Sequence, residues 1–148
     1  MDSTVLTNFL NAYFEWLARP LFDSEDQGHL AYTDKIIGDA IMNIFEIPAV
    51  ALKTTVEMRQ QLAIFNSNPN NYFREAPQNF RINIGSGLAY GIITLGVIGH
   101  SRRMDYSTFG DTVNLASRLE ALTKFYHSPI IVDSKDGTYT LTEKQPSN

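Results

Sequence analysis

Residues 29–47 read HLAYTDKIIGDAIMNIFEI. Two strand-like runs flank Gly38-Asp39, a pair suited to a tight turn, so the stretch predicts a β-hairpin. Pro48 closes it. On either side the period changes. Residues 3–18, STVLTNFLNAYFEWLA, place Leu6, Phe9, Leu10, Tyr13 and Leu17 on one face of a helix. Ser3 is positioned to cap that helix; Pro20 and the polar run at 23–28 stop it. Downstream, Ala51, Thr55, Met58, Leu62 and Phe65 recur at helical spacing, predicting a helix from about residue 50 to 65.

Beyond a loop at 66–71, residues 80–99 (FRINIGSGLAYGIITLGVIG) are rich in Ile and broken by Gly. They predict a buried strand, a bend and a second strand. SRRMDYSTFGD, 101–111, reads as a polar loop or strand end. A further helix runs from Asp111, its expected N-cap, to about Phe125, with Val113, Ala116 and Leu119 facing the core. SPIIVD, 128–133, is a short strand, and the tail from 135 is polar and weakly patterned. Helices interspersed with antiparallel pairs give an α+β class: a ferredoxin-like sandwich with a mostly antiparallel sheet and helices packed on it.

Composition narrows the function. The 148 residues suit a single domain with a real core, and 43% apolar with 19% charged residues is ordinary for a globular chain. A net charge of −4 gives nucleic acid no electrostatic hold. The absence of cysteine excludes disulfides, zinc–thiolate sites and thiol catalysis, and points to a cytoplasmic setting. No apolar run is long enough to span a membrane and no signal-peptide pattern opens the chain, so this segment is expected to make no direct membrane contact; a longer parent can still be tethered.

Three groups of residues carry possible chemistry. Asp39 is a carboxylate at a strand junction: turn chemistry by itself, or a ligand for a hard cation such as Mg²⁺. Lys35 alternates in phase with Ile37 and Asp39, and Ile37 implies that this face is partly buried. Its ammonium either snorkels at a sheet edge or donates to a ligand. Asn114 and Arg118, at i and i+4, aim an amide and a guanidinium from one helix face. They are either a solvated face or a phosphoryl-stabilising pair, since a guanidinium holds its charge and suits charge developing on phosphate oxygens.

Together these segments form a pattern. DKIIGDAIMNIF (34–45) resembles the hairpin motif of the class III adenylate and guanylate cyclases, and RMDYSTFGDTVNLASRLEALTKFY (103–126) resembles their second signature. LNAYFEWL (10–17) resembles the helix before the hairpin, and the likeness covers roughly residues 3–133. The resemblance implies conversion of ATP to 3′,5′-cyclic AMP and pyrophosphate. The ribose 3′-hydroxyl attacks the α-phosphate with two divalent ions, Mg²⁺ or Mn²⁺, assisting. It implies active sites at the interface of a homodimer or heterodimer of cyclase domains, with ATP as the small-molecule partner. Asp39 matches a metal-binding aspartate, Asn114 the residue that orients the ribose, and Arg118 the arginine that stabilises transition-state charge. Lys35 matches the base-reading position where adenylate cyclases carry lysine and guanylate cyclases glutamate. A lysine donates to adenine N1, whereas guanine presents a donor there. Ser107 matches its partner position, where adenylate cyclases have Asp or Thr.

The chain departs from that pattern in three places. The strand bearing the family's other metal aspartate, in an F-x-D pattern, is missing ahead of the first helix, and Asp2 does not replace it. The strands carrying a phosphate-contacting lysine are missing after residue 148. Gly85 stands where many members have His or Asn. The expectation is therefore one cyclase domain, residues 1–148, lacking both ends. Two alternatives are a catalytically silent cyclase-like module that binds nucleotide or a partner domain, and guanylate cyclase activity. An RNA-binding sheet on the same scaffold is disfavoured by the acidic balance.

Overall fold

The computed structural model describes residues 3–24 and 31–133, which divide into two compact units. The polar run at 25–28, residues 29 and 30, Asp2 and the tail lie outside the described residues. The first unit comprises Met1–Ile84 and Leu95–Thr108; the second comprises Gly85–Thr94 and Phe109–Asn148.

The first unit opens with α1 (Ser3–Ala12), a π-helical turn (Tyr13–Leu17) and α2 (Arg19–Asp23). Pro20 does not stop a helix, as its position suggests; it lies in the first turn of α2, where its missing N–H would have had no helical partner. The break falls at Ala18, whose N–H reaches back to the Tyr13 carbonyl at 3.2 Å. After the first hairpin, α3 (Pro48–Ser67) starts at Pro48 for the same reason. Tyr13, Leu17, Ala18 and Leu21 from the N-terminal helices meet Met58, Leu62 and Phe65 of α3, with Phe73 and Ile82 completing the core. Phe9 packs edge-on against Phe73 and Phe80, ring centroids 5.8 and 5.7 Å apart. Asn66 ties the segment before residue 84 to the end of α3. Its Oδ1 accepts from the Ile82 N–H and its Nδ2 donates to the Ile82 carbonyl, both at 2.9 Å.

Strands β1 (Ala31–Ile37) and β2 (Ala40–Phe45) form the expected hairpin, antiparallel and turning at Gly38-Asp39, where Gly38 has φ +63°. The register is not uniform. Thr33 pairs with Asn43, but Lys35 pairs with Met42, so Asp34 is an extra residue in β1, a β-bulge. Ile37 is 66% exposed, so the face it marks is not the buried one that alternation implies. The stretch expected to be a polar loop or strand end is a full strand, β5 (Arg103–Phe109), paired with β4 (Thr94–His100).

In the second unit, β3 (Ser86–Leu88) and β6 (Ile130–Val132) pair in parallel and α4 (Asp111–Tyr126) packs on both. Asp111 is not the N-cap. Gly110 holds that place without a side-chain cap bond, and Asp111 puts its charge in the first turn, where the helix dipole favours it. His127 ends α4 in a left-handed conformation, φ 52°, and its N–H donates to the Thr123 carbonyl. The β1–β2 pair is antiparallel and β3–β6 parallel; together with the α-helices this is the α+β class expected.

Candidate active site

In the first unit, two adjacent residues on β1 meet two adjacent residues on β5 and form two rungs. The inner rung joins Asp34 to Thr108. One carboxylate oxygen of Asp34, Oδ1, accepts from the Thr108 N–H at 3.0 Å and from its hydroxyl at 2.7 Å. Because the Thr108 proton goes to Asp34, the Tyr32 hydroxyl is the donor in its 3.3 Å contact with Thr108 Oγ1. Thr108 is buried, and the Asp34 side chain is only 1% exposed.

The outer rung joins Lys35 to Ser107. Lys35 Nζ donates to Ser107 Oγ at 2.6 Å, bridging positions 72 residues apart in sequence. The ammonium also lies 3.2 Å from Asp34 Oδ2, an oxygen that is buried and accepts no hydrogen bond, so that contact is charge attraction. The Lys35 side chain is 34% exposed, so its head remains accessible. A lysine carries three donors; Ser107 takes one, and a hydroxyl oxygen accepting from Lys35 keeps a second lone pair. The pair can therefore present one donor and one acceptor side by side. A cavity of about 380 Å³ lined by Tyr32, Thr33, Asp34, Leu95 and Tyr106 has Tyr32 and Asp34 in common with this cluster.

Asp39 is the second residue of the β1–β2 turn and is exposed there. Its charge is felt by Tyr13. Burial first, then the Asp39 carboxylate, push that phenol up to about 12. Among the described residues no group of three His, Asp or Glu side chains gathers to hold a metal. Asp39 is a single exposed carboxylate, so a hard cation held there would need further oxygen ligands from a substrate or water.

In the second unit, Asn114 and Arg118 are exposed one turn apart on α4, while Val113, Ala116 and Leu119 are half-buried on its other side. Helix α4 is held close to β3. A side-chain carbon at Gly87 would stand 2.3 Å from both the Ala116 carbonyl oxygen and the Glu120 nitrogen. Thr112 Oγ1 donates to the Ile92 carbonyl at 2.7 Å and helps seat the first turn.

Sequence reasoning missed Asp34, Thr108 and Tyr32. The signal available was a carboxylate inside a strand-like run, a residue type that strands disfavour unless it has a partner. Its partner lies 74 residues away.

Comparison with known proteins agrees with this organisation. A sequence model of the adenylate and guanylate cyclase catalytic domain matches residues 2–135. An adenylate cyclase of Anabaena cylindrica is 33% identical over 134 residues, covering 89% of this chain and 26% of that protein. The terminal-differentiation-specific adenylate cyclase of Dictyostelium discoideum is 34% identical over 131 residues, 84% of this chain and 6% of that one. The chain thus spans about a quarter or less of these relatives. The structure of a bacterial light-regulated adenylyl cyclase superposes with a TM-score of 0.72 at 26% identity, covering 89% of this chain and 65% of that one. The chain belongs to the adenylate and guanylate cyclase catalytic domain family. No helix among the described residues is long and apolar enough to cross a membrane.

Proposed function

We propose that this member of the cyclase family acts on ATP, forming 3′,5′-cyclic AMP and pyrophosphate. The observation that carries the choice of base is the 2.6 Å contact between Lys35 Nζ and Ser107 Oγ. Adenine offers an N1 acceptor beside an N6 amino donor, and Lys35 donating with Ser107 accepting complements that edge. Guanine places a donor at N1, which would face the ammonium.

Arg118 donates through its planar fork to phosphoryl oxygens as negative charge grows on them. Asn114, one turn away, holds a ribose oxygen and orients the 3′-hydroxyl. Asp39 would hold a divalent cation at the site. When bound, Mg²⁺ or Mn²⁺ supplies Lewis-acid stabilisation of the attacking and leaving oxygens. Two copies of the domain supply the site. Val97, Ile98, Met104 and Tyr106 of the β4–β5 hairpin are exposed and supply apolar area for such a contact.

The test is cyclic nucleotide formation from ATP and, in parallel, GTP, with Mn²⁺ present. Cyclic AMP well above an Arg118→Ala control, with little cyclic GMP, is the expected result. Arg118 is exposed, so its loss should leave the melting temperature within a degree or two of the parent. Turnover unchanged by Arg118→Ala would remove that residue from the chemistry. Preferential cyclic GMP formation would overturn the base assignment.

A further inference from the structure

We propose that Asp34 is a positioning residue for nucleobase selection, acting through Lys35 and Ser107 without touching the nucleotide. This rests on the reading of Lys35 and Ser107 as the base-recognition pair.

The bulge in β1 is the origin of the arrangement. Neighbours on a strand point to opposite faces, and an extra residue re-aims a side chain at the point where it is inserted. Asp34 is that residue, and its carboxylate is buried while Lys35 beside it stays accessible. A buried carboxylate is costly unless it is hydrogen-bonded and paired. Here Oδ1 takes both donors of Thr108, and Oδ2 faces the Lys35 ammonium at 3.2 Å. Thr108 is the direct neighbour of Ser107. One carboxylate therefore restrains both members of the exposed pair: Lys35 by charge and Ser107 through the adjoining backbone. Lys35 alone is a four-carbon stem with about 2 kcal/mol of rotamer entropy to lose. Held by charge against Asp34 Oδ2 and by a hydrogen bond to Ser107 Oγ, its head has a defined direction in which to present its remaining donors.

Asp34→Asn separates the two attachments. The amide oxygen can still accept from Thr108, while the negative charge facing Lys35 is gone. The readout is the ratio of dissociation constants for 3′-deoxy-GTP and 3′-deoxy-ATP with Mg²⁺, measured by calorimetry. Neither analogue has the attacking hydroxyl, so neither is consumed. The ratio is also independent of how much protein is folded, because both nucleotides see the same folded fraction. A purely structural role would leave it unmoved.

The expected result is a parent that prefers the adenine nucleotide and an Asp34→Asn variant whose preference falls about tenfold. Thr108→Val removes one of the two bonds that seat the carboxylate and should lower the ratio in the same direction by about threefold. It decides the matter if the Asn variant does not fold. Unchanged ratios, or a parent that binds both nucleotides equally, overturn the proposal. Cyclic AMP formation is scored separately on the same preparations. A chain that shows the ratio change but makes no cyclic AMP refutes the proposed catalysis while leaving the role of Asp34 standing.

Discussion

Gly87→Ala is the substitution whose outcome the packing decides against the usual expectation. At a strand position with ordinary φ, replacing Gly with Ala tends to stabilise by about 0.4–1 kcal/mol, because the unfolded chain loses freedom. Gly87 has no left-handed φ to forbid the change, but α4 does forbid it. The new carbon would sit 2.3 Å from the Ala116 carbonyl oxygen, 2.3 Å from the Glu120 nitrogen and 2.9 Å from the Leu119 carbonyl carbon. Ordinary carbon contacts need about 3.5–4.0 Å, so helix and strand must separate by roughly an ångström. All three atoms are backbone, and no rotamer change can move them aside. Overpacking of this kind costs about 1–3 kcal/mol, and the rigid neighbours put this case at the upper end. After the entropic gain, the net loss should be about 2 kcal/mol. For a chain of this length that lowers the melting temperature by roughly 4–8 °C. Circular dichroism melts of the two proteins at one concentration measure it. A variant as stable as the parent, or more so, would show that β3 does not lie this close to α4 and would refute the reasoning.

The first unit supports two further predictions. Phe65 is 1% exposed and stacks on Tyr72 with ring centroids 5.5 Å apart. Phe65→Ala should therefore cost about 3–5 kcal/mol in a urea titration, and a loss below about 1 kcal/mol would contradict that packing. Tyr13 gives a signature in alkali. Its folded pKa is raised from 10.0 to about 12, so the folded state keeps the proton longer than the unfolded one. That contribution is complete below pH 10 and lost as pH rises through about 12. It amounts to about 2–3 kcal/mol. The stability difference between the parent and Tyr13→Phe should shrink by that amount across the window, and a constant difference would sink the assignment.

Much of the first unit is legible in the sequence because local pattern and tertiary demand agree. The 29–47 stretch turns where Gly38-Asp39 says it should, and Met58, Leu62 and Phe65 are buried at the spacing that predicts α3. The errors share one cause, a local signal that only a distant neighbour interprets. Pro20 looks like a terminator, yet a proline ends one helix and starts another with equal ease, and the packing of the next turn decides between them. The strand Arg103–Phe109 reads as a polar loop although Met104 and Tyr106 alternate with Arg103, Asp105 and Ser107. The alternation is short, sits in a polar stretch, and its apolar side faces outward, with five of the seven residues exposed. Ile37 misleads for the converse reason: an apolar side chain at 66% exposure imitates a core position in sequence.

By itself, the sequence determined the periodic elements and their order, and it placed Asn114 and Arg118 one helical turn apart, because these depend on residues within a few positions of each other. The tertiary structure alone decided that Asp34 is the bulged residue and that it bonds Thr108, and it gave the pairing of Lys35 with Ser107, which the family resemblance implies, its 2.6 Å contact. The two contacts join positions 74 and 72 residues apart. A one-residue change of register or a bulge leaves local propensity unaltered yet redirects a side chain from one face to the other, and only the paired strand settles which face that is.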